Sequence, residues 1–100
     1  MAVISKVLFR GAASTSNTTL YTVPASTTAI ITNIVVTNTA ATSATYTIKF
    51  NNVDVLSGIS INANSSVAID MKQVLTATQA VAGSASATTV NFHISGVEVA

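Results

Sequence analysis

Alternation of branched apolar residues with small polar ones constrains this chain more than any other feature. In stretches such as Thr45-Tyr46-Thr47-Ile48-Lys49-Phe50 the apolar side chains recur at every second position. That spacing places them on one face of a half-buried strand, whereas a helix requires a period near 3.6 residues. The abundance of Thr, Val and Ile reinforces the reading, because β-branched side chains fit a pleated surface better than a helical one. The pattern predicts an all-β domain, an antiparallel β-sandwich of jelly-roll or immunoglobulin-like type with about eight short strands. Strand-like text covers Val3 to Arg10, Thr18 to Val23, Ala29 to Thr37, Thr45 to Phe50, Val53 to Ser57, Ile59 to Ile61, Val67 to Met71, Val81 to Ala87 and Val90 to Val99. Clusters of Gly, Pro, Asn and Ser separate them.

With 100 residues the chain has room for one core. Residues 17–100 are read as the sandwich, and residues 1–16 as an N-terminal strand or arm able to pair with a neighbouring subunit. Apolar residues make up 49%, which excludes a disordered tail, yet only 7% are charged. Cysteine is absent, so there is no disulfide framework, thiolate nucleophile or cysteine zinc site. Lys6, Arg10, Lys49 and Lys72 stand singly in a chain of net charge +1, which offers no basic stripe to nucleic acid or acidic lipid. Mean hydropathy is +0.60, but the longest apolar run, Met1 to Ile4, is far short of the roughly 20 residues that cross a bilayer. No membrane, nucleic-acid or cofactor partner is expected. No secretory leader is read either, since Lys6 and Arg10 fall inside the alternating stretch.

Several local features can be read in detail. Asn51-Asn52 suits a primed two-residue turn, because Asn tolerates positive φ. The resulting hairpin would pair Phe50 with Val53, Ile48 with Val55 and Tyr46 with Ser57 on one face, and Lys49 with Asp54 and Thr47 with Leu56 on the other. In the last strand Val90, Phe92 and Ile94 share one parity and Val97 and Val99 the other, which suggests a β-bulge near Ser95-Gly96. Ala29 to Thr37 is apolar on both parities, as for an interior strand touching something on each face. Met71, Val74, Leu75 and Thr78 could form one helical turn.

Candidate chemistry is sparse. His93, the only histidine, could act as a general base, but no G-x-S-x-G elbow marks a nucleophile, and a surface or interface histidine is the plainer reading. Asp54 beside Lys49, and Asp70 beside Lys72, read as surface ion pairs, and Glu98 as an outward-facing residue. One histidine and three separated acids do not make a standard zinc or calcium site. The four glycines form no phosphate-binding loop. Among the aromatics Tyr21 is the one reasonable stacking platform for a sugar or base, weighed against an ordinary half-buried tyrosine. The N-x-S/T matches at Asn17 and Asn64 are expected by chance in so Thr- and Ser-rich a chain. No enzymatic activity is expected.

An isolated sandwich of this size has limited core energy, and its edges lack the charges that usually block strand pairing. Neighbouring subunits are the expected cover, with Val3, Val7, Phe9, Tyr21, Ile31 and Val35 as interface candidates. From Thr19 onward the string TLYTVPASTTAIITNIVVTNTAATSATYTIKFNN, then ISINANSSVAIDMKQVL and VNFHISGVEV, resembles small virion proteins of tailed bacteriophages. The glycine-containing turn usual after Pro-Ala is replaced here by Ser26-Thr27. The resemblance implies a small β-sandwich serving as a capsid decoration or cement subunit, or else a neck, tail or fibre component with a receptor- or carbohydrate-binding role. It also implies a homo-oligomer, with a trimer among the expected states, that contacts the major capsid protein or tail and neck proteins. The protein would be made in the host bacterial cytoplasm and end in the virion.

Overall fold

Eight strands form in the computed structural model, which describes residues 2–100: β1 (Val3–Ala12), β2 (Thr18–Thr22), β3 (Thr28–Asn38), β4 (Ala44–Phe50), β5 (Val53–Ile61), β6 (Ser65–Leu75), β7 (Ala80–Ala85) and β8 (Val90–Val99). They make two four-stranded antiparallel sheets, β1-β8-β3-β6 and β2-β7-β4-β5. The first strand pairs with the last, the second with the seventh, the third with the sixth and the fourth with the fifth. This is one long hairpin wound into two layers. Of the two expected sandwich types, the strand order is that of the jelly roll.

The innermost turn lies where the sequence places it. Asn51 and Asn52 both have positive φ, 51° and 63°, as a primed hairpin turn requires. Phe50 opposes Val53 and Lys49 opposes Asp54, with Lys49 Nζ 3.6 Å from Asp54 Oδ1. Farther along, the register departs from expectation: Ile48 faces Leu56 rather than Val55, and Tyr46 faces Ile59 rather than Ser57. β5 therefore accommodates two extra residues. Gly58 takes one irregular position, with φ +56°, so the two strand segments expected on either side of it are one bent strand.

The core lies between the sheets. Ile31, Ile34 and Val36 of β3, Phe92 and Ile94 of β8, Ile48 of β4 and Val81 of β7 are wholly buried. Each such side chain contributes on the order of 1.5–3 kcal/mol on leaving water. Tyr46 and Phe92 meet edge to face, centroids 6.2 Å apart at 70°.

Two β-bulges explain the mixed parities. In β3, register with β8 shifts between Ile31 and Asn33, so Ala29 and Ile31 point inward before Thr32, and Ile34, Val36 and Asn38 after it. Ile31 is thus a residue of this chain's own core, 0% exposed; its assignment to an intersubunit contact is corrected. The matching shift in β1 falls between Val7 and Phe9, around Leu8. β8, where a bulge was expected, alternates without interruption. Gly96 lies between the two bulged neighbours on the inner parity, and a methyl group there would press on the Ile30 carbonyl and approach Leu8 Cδ1 to 3.0 Å. Glycine is needed because the neighbouring backbone comes so close.

The expected helical turn is absent. Met71 to Leu75 continues β6, and Thr76 to Gln79 forms a turn in which the Gln79 N–H donates to Thr76 O at 3.1 Å and the Gln79 side chain accepts from Thr76 N–H at 2.9 Å. Among the described residues no helix is long and apolar enough to cross a membrane. Residues 3–12 do not stand apart as an arm but pair with β8 of their own chain. Ala2 and Ala100 extend that ladder, exchanging both backbone hydrogen bonds at 2.8 and 2.9 Å. The strand's other edge is unpaired in the sheet.

Candidate interaction surface

The outer faces of the sandwich are polar over most of their strands, β1-β8-β3-β6 carrying Arg10 beside His93 and Asn33 beside Asp70, but one end of that sheet is aliphatic. Across β7, β4 and β5 the outward residues include Ser84, Thr45, Thr47, Lys49, Ser60 and Asp54, a polar surface that water solvates. Across β1, β8, β3 and β6 the register aligns Ser5, Val97, Ile30 and Val74 in one row. The next row toward the termini sets Val3 beside Val99. Val3 is 68% exposed, Val74 62% and Val7 45%. A row of aliphatic side chains spanning a sheet and running onto an edge strand is the kind of surface that marks a protein contact.

Of the residues singled out in the sequence, Val3 and Val7 lie on this face. Val35 shares its outward side, half-buried beside His93 and Ala68. Phe9 is half-buried and packs against the core, as does Tyr21. Val97, Val99, Ile30 and Val74 complete the patch; the unbroken alternation of Val97 and Val99 with Gly96 and Glu98 could have revealed two of them.

Tyr21 and Glu98 hold the main electrostatic feature. Glu98 is not outward-facing as expected: it lies on the inner parity of β8 at 9% exposure. Tyr21, reaching from the other sheet, donates its hydroxyl to Glu98 Oε2, and Lys6 Nζ sits 3.3 Å from Oε1. The Tyr21 bond is the largest influence holding the Glu98 carboxyl below its ordinary range; Lys6 adds to it while burial opposes it. Burial, followed by the hydrogen bond and charge of Glu98, pushes the Tyr21 hydroxyl well up. A buried carboxylate with two partners on other strands locks the sheets together. With its hydroxyl committed and its ring against the core, Tyr21 does not present the open aromatic face of a stacking platform.

The remaining polar groups are dispersed. Asp70 accepts from Asn33 Nδ2 at 3.1 Å, rather than pairing with Lys72. His93 lies on the outer face, in register with Arg10 and Val35. Asn38, 1% exposed, donates to Thr42 O at 2.8 Å and to Asn62 O at 3.4 Å, and accepts from Ala40 N–H at 3.1 Å and Thr89 Oγ1 at 3.2 Å. It fastens three loops at one end of the sandwich, a structural task. Among the described residues no three His, Asp or Glu side chains gather as metal ligands. No protein-family model and no curated protein matches the chain.

Proposed function

We propose that the chain is a non-enzymatic structural subunit of a tailed-bacteriophage virion, assembling with copies of itself and stabilising the capsid as a decoration or cement protein. The observation that carries this reading is the aliphatic row across the outer face of β1-β8-β3-β6, continuous with a strand edge that has no partner in its own sheet. A monomer would leave that edge and row in water, whereas a particle surface covers both. The low charge fits the same task, since Thr, Ser and Asn can be buried in contacts with hydrogen bonds at smaller desolvation cost than ions. The jelly roll is a fold that viral capsid domains use, among others, so it agrees with the reading by analogy alone. The resemblance of the Leu20-Tyr21-Thr22-Val23-Pro24-Ala25 segment and its continuation to phage virion proteins supplies the virion context.

Individual contacts of this size are weak, and repetition over a shell makes them effective. The test is gold labelling of phage particles with an antibody against this chain, viewed by electron microscopy. Label distributed over the head is expected. Label confined to the neck, tail or fibre would replace the capsid role with that of a tail component, and unlabelled particles would overturn the virion reading.

A further inference from the structure

The free edge of β1 carries more information than exposure alone. Ala2 and Ala100 form a hydrogen-bonded pair, and register runs without a shift from there to Val7 opposite Ser95. In an antiparallel ladder such pairs alternate with non-hydrogen-bonded ones. Ile4 and Lys6 therefore direct their backbone groups to β8, while Val3, Ser5 and Val7 direct theirs to the unpaired side. The same three residues lie on the outer parity, where Val3 and Val7 border the aliphatic row.

The other three edges are poorer templates. β2 has only five residues and a register shift between Thr19 and Tyr21. β5 carries two shifts and Asp54; β6 runs without a shift from Ser65 only to Asp70 and then presents Asp70 and Lys72, whereas the one charge inside the β1 run, Lys6, is paired with Glu98 of its own chain. Bulges and charges are devices that discourage edge pairing. On β1 the regular run ends at the Leu8 bulge, leaving Val3 to Val7 with Ser5 at its midpoint.

We infer that β1 pairs antiparallel with β1 of a second copy about a two-fold axis through Ser5, joining two four-stranded sheets into one of eight strands. Ser5 faces Ser5 of the other copy and Val3 faces Val7, so three pairs supply about six main-chain hydrogen bonds. On the outer face the two aliphatic rows meet at these valines. On the opposite face Lys6 of one copy stands across from Ile4 of the other, so no like charges oppose directly, and each Lys6 retains its Glu98 contact. The contact is isologous and closes on itself. The inference rests on the assembly reading only in requiring more than one copy, and not on the virion context.

Two variants test it. Ser5→Pro removes an N–H that β8 does not use, so the fold should persist while the edge loses its central donor. Light scattering should give about twice 10.1 kDa for the parent and the monomer mass for Ser5→Pro, with at least a tenfold weaker association. Ser5→Cys places single cysteines at the proposed axis in a chain with none of its own. The Cα separation of about 5.5 Å expected for such a pair suits a disulfide. Oxidation should convert it almost completely to a covalent dimer, with Ser66→Cys on β6 remaining largely uncoupled. A parent that stays monomeric, a trimer, or equal coupling of the two cysteine variants would overturn the two-fold pairing. Gold label on particles with any of these results would retain the virion reading and discard the dimer; a Ser5-linked dimer with unlabelled particles would do the reverse.

Discussion

Replacing Gly96 with alanine probes how the two bulges and the flanking strands fit together. The added methyl would meet the Ile30 carbonyl, Leu8 Cδ1 at 3.0 Å and the Ile30 carbonyl carbon at 3.2 Å. Leu8 could rotate away, but the Ile30 carbonyl belongs to the backbone of an interior strand. Relief requires β8 to move from β3, straining the ladder where Gly96 opposes Ile31. Overpacking of this kind costs about 1–3 kcal/mol, and weakening one ladder bond adds roughly 1 kcal/mol. A loss of about 2–4 kcal/mol follows, or roughly 8–30 °C in melting temperature for a domain this small. Gly58→Ala provides the comparison: its Cβ would meet nothing within 4 Å, but its φ is +56°, so only the left-handed backbone cost of about 1–2 kcal/mol applies. Urea unfolding followed by circular dichroism measures both, with the loss read from the midpoint at constant slope. A Gly96→Ala loss below about 0.5 kcal/mol would refute the claim that close backbone approach dictates this glycine.

Glu98 predicts an acid response. Its carboxyl is held below the usual 4.5, chiefly by Tyr21, so its contribution is present above about pH 4.5 and is lost as pH falls through the lowered folded value. In thermal melts from about pH 6 to pH 3, the parent should lose more stability than Glu98→Gln; parallel curves would contradict the assignment. Asn38→Ala should cost about 1–3 kcal/mol, because it removes the hydrogen bonds that a buried amide makes to three loops and leaves their half-buried partners to find water; urea unfolding with a midpoint unchanged from the parent would show that water replaces them fully.

Much of the fold was legible because alternation reports directly which residues face inward. Val90, Phe92 and Ile94 are inside as that rule requires, and Asn51-Asn52 announced its turn through tolerance of positive φ. The rule failed where the ladder slips. A bulge reverses parity without a residue type of its own, so Ile31 looked outward when Thr32 had shifted its frame. The move of the apolar residues from the parity of Ile94 to that of Val97 suggested a bulge in β8 near Gly96, whereas the irregularities lie in the strands on either side. The spacing of Met71, Val74, Leu75 and Thr78 imitated a helix, yet Val67, Ile69, Met71 and Leu75 keep to one parity of a strand, interrupted at Gln73. Glu98 was misplaced because a lone acid gives no sign of partners distant in sequence. Both lie on other strands, Tyr21 in the opposite sheet and Lys6 on β1, and only the wound topology brings them there. The aliphatic face was partly visible through Val3 and Val7; Ile30 and Val74 joined it once register was known.

Amide hydrogen exchange along β1, resolved residue by residue, asks most directly whether the exposed strand edge is covered by another molecule. Ile4 and Lys6 should be protected at every concentration through their bonds to β8. Val3, Ser5 and Val7 should exchange rapidly in dilute solution and become protected together as concentration rises. Rapid exchange at those three positions at every concentration, with Ile4 and Lys6 still protected, would contradict the claim that this edge is an assembly surface.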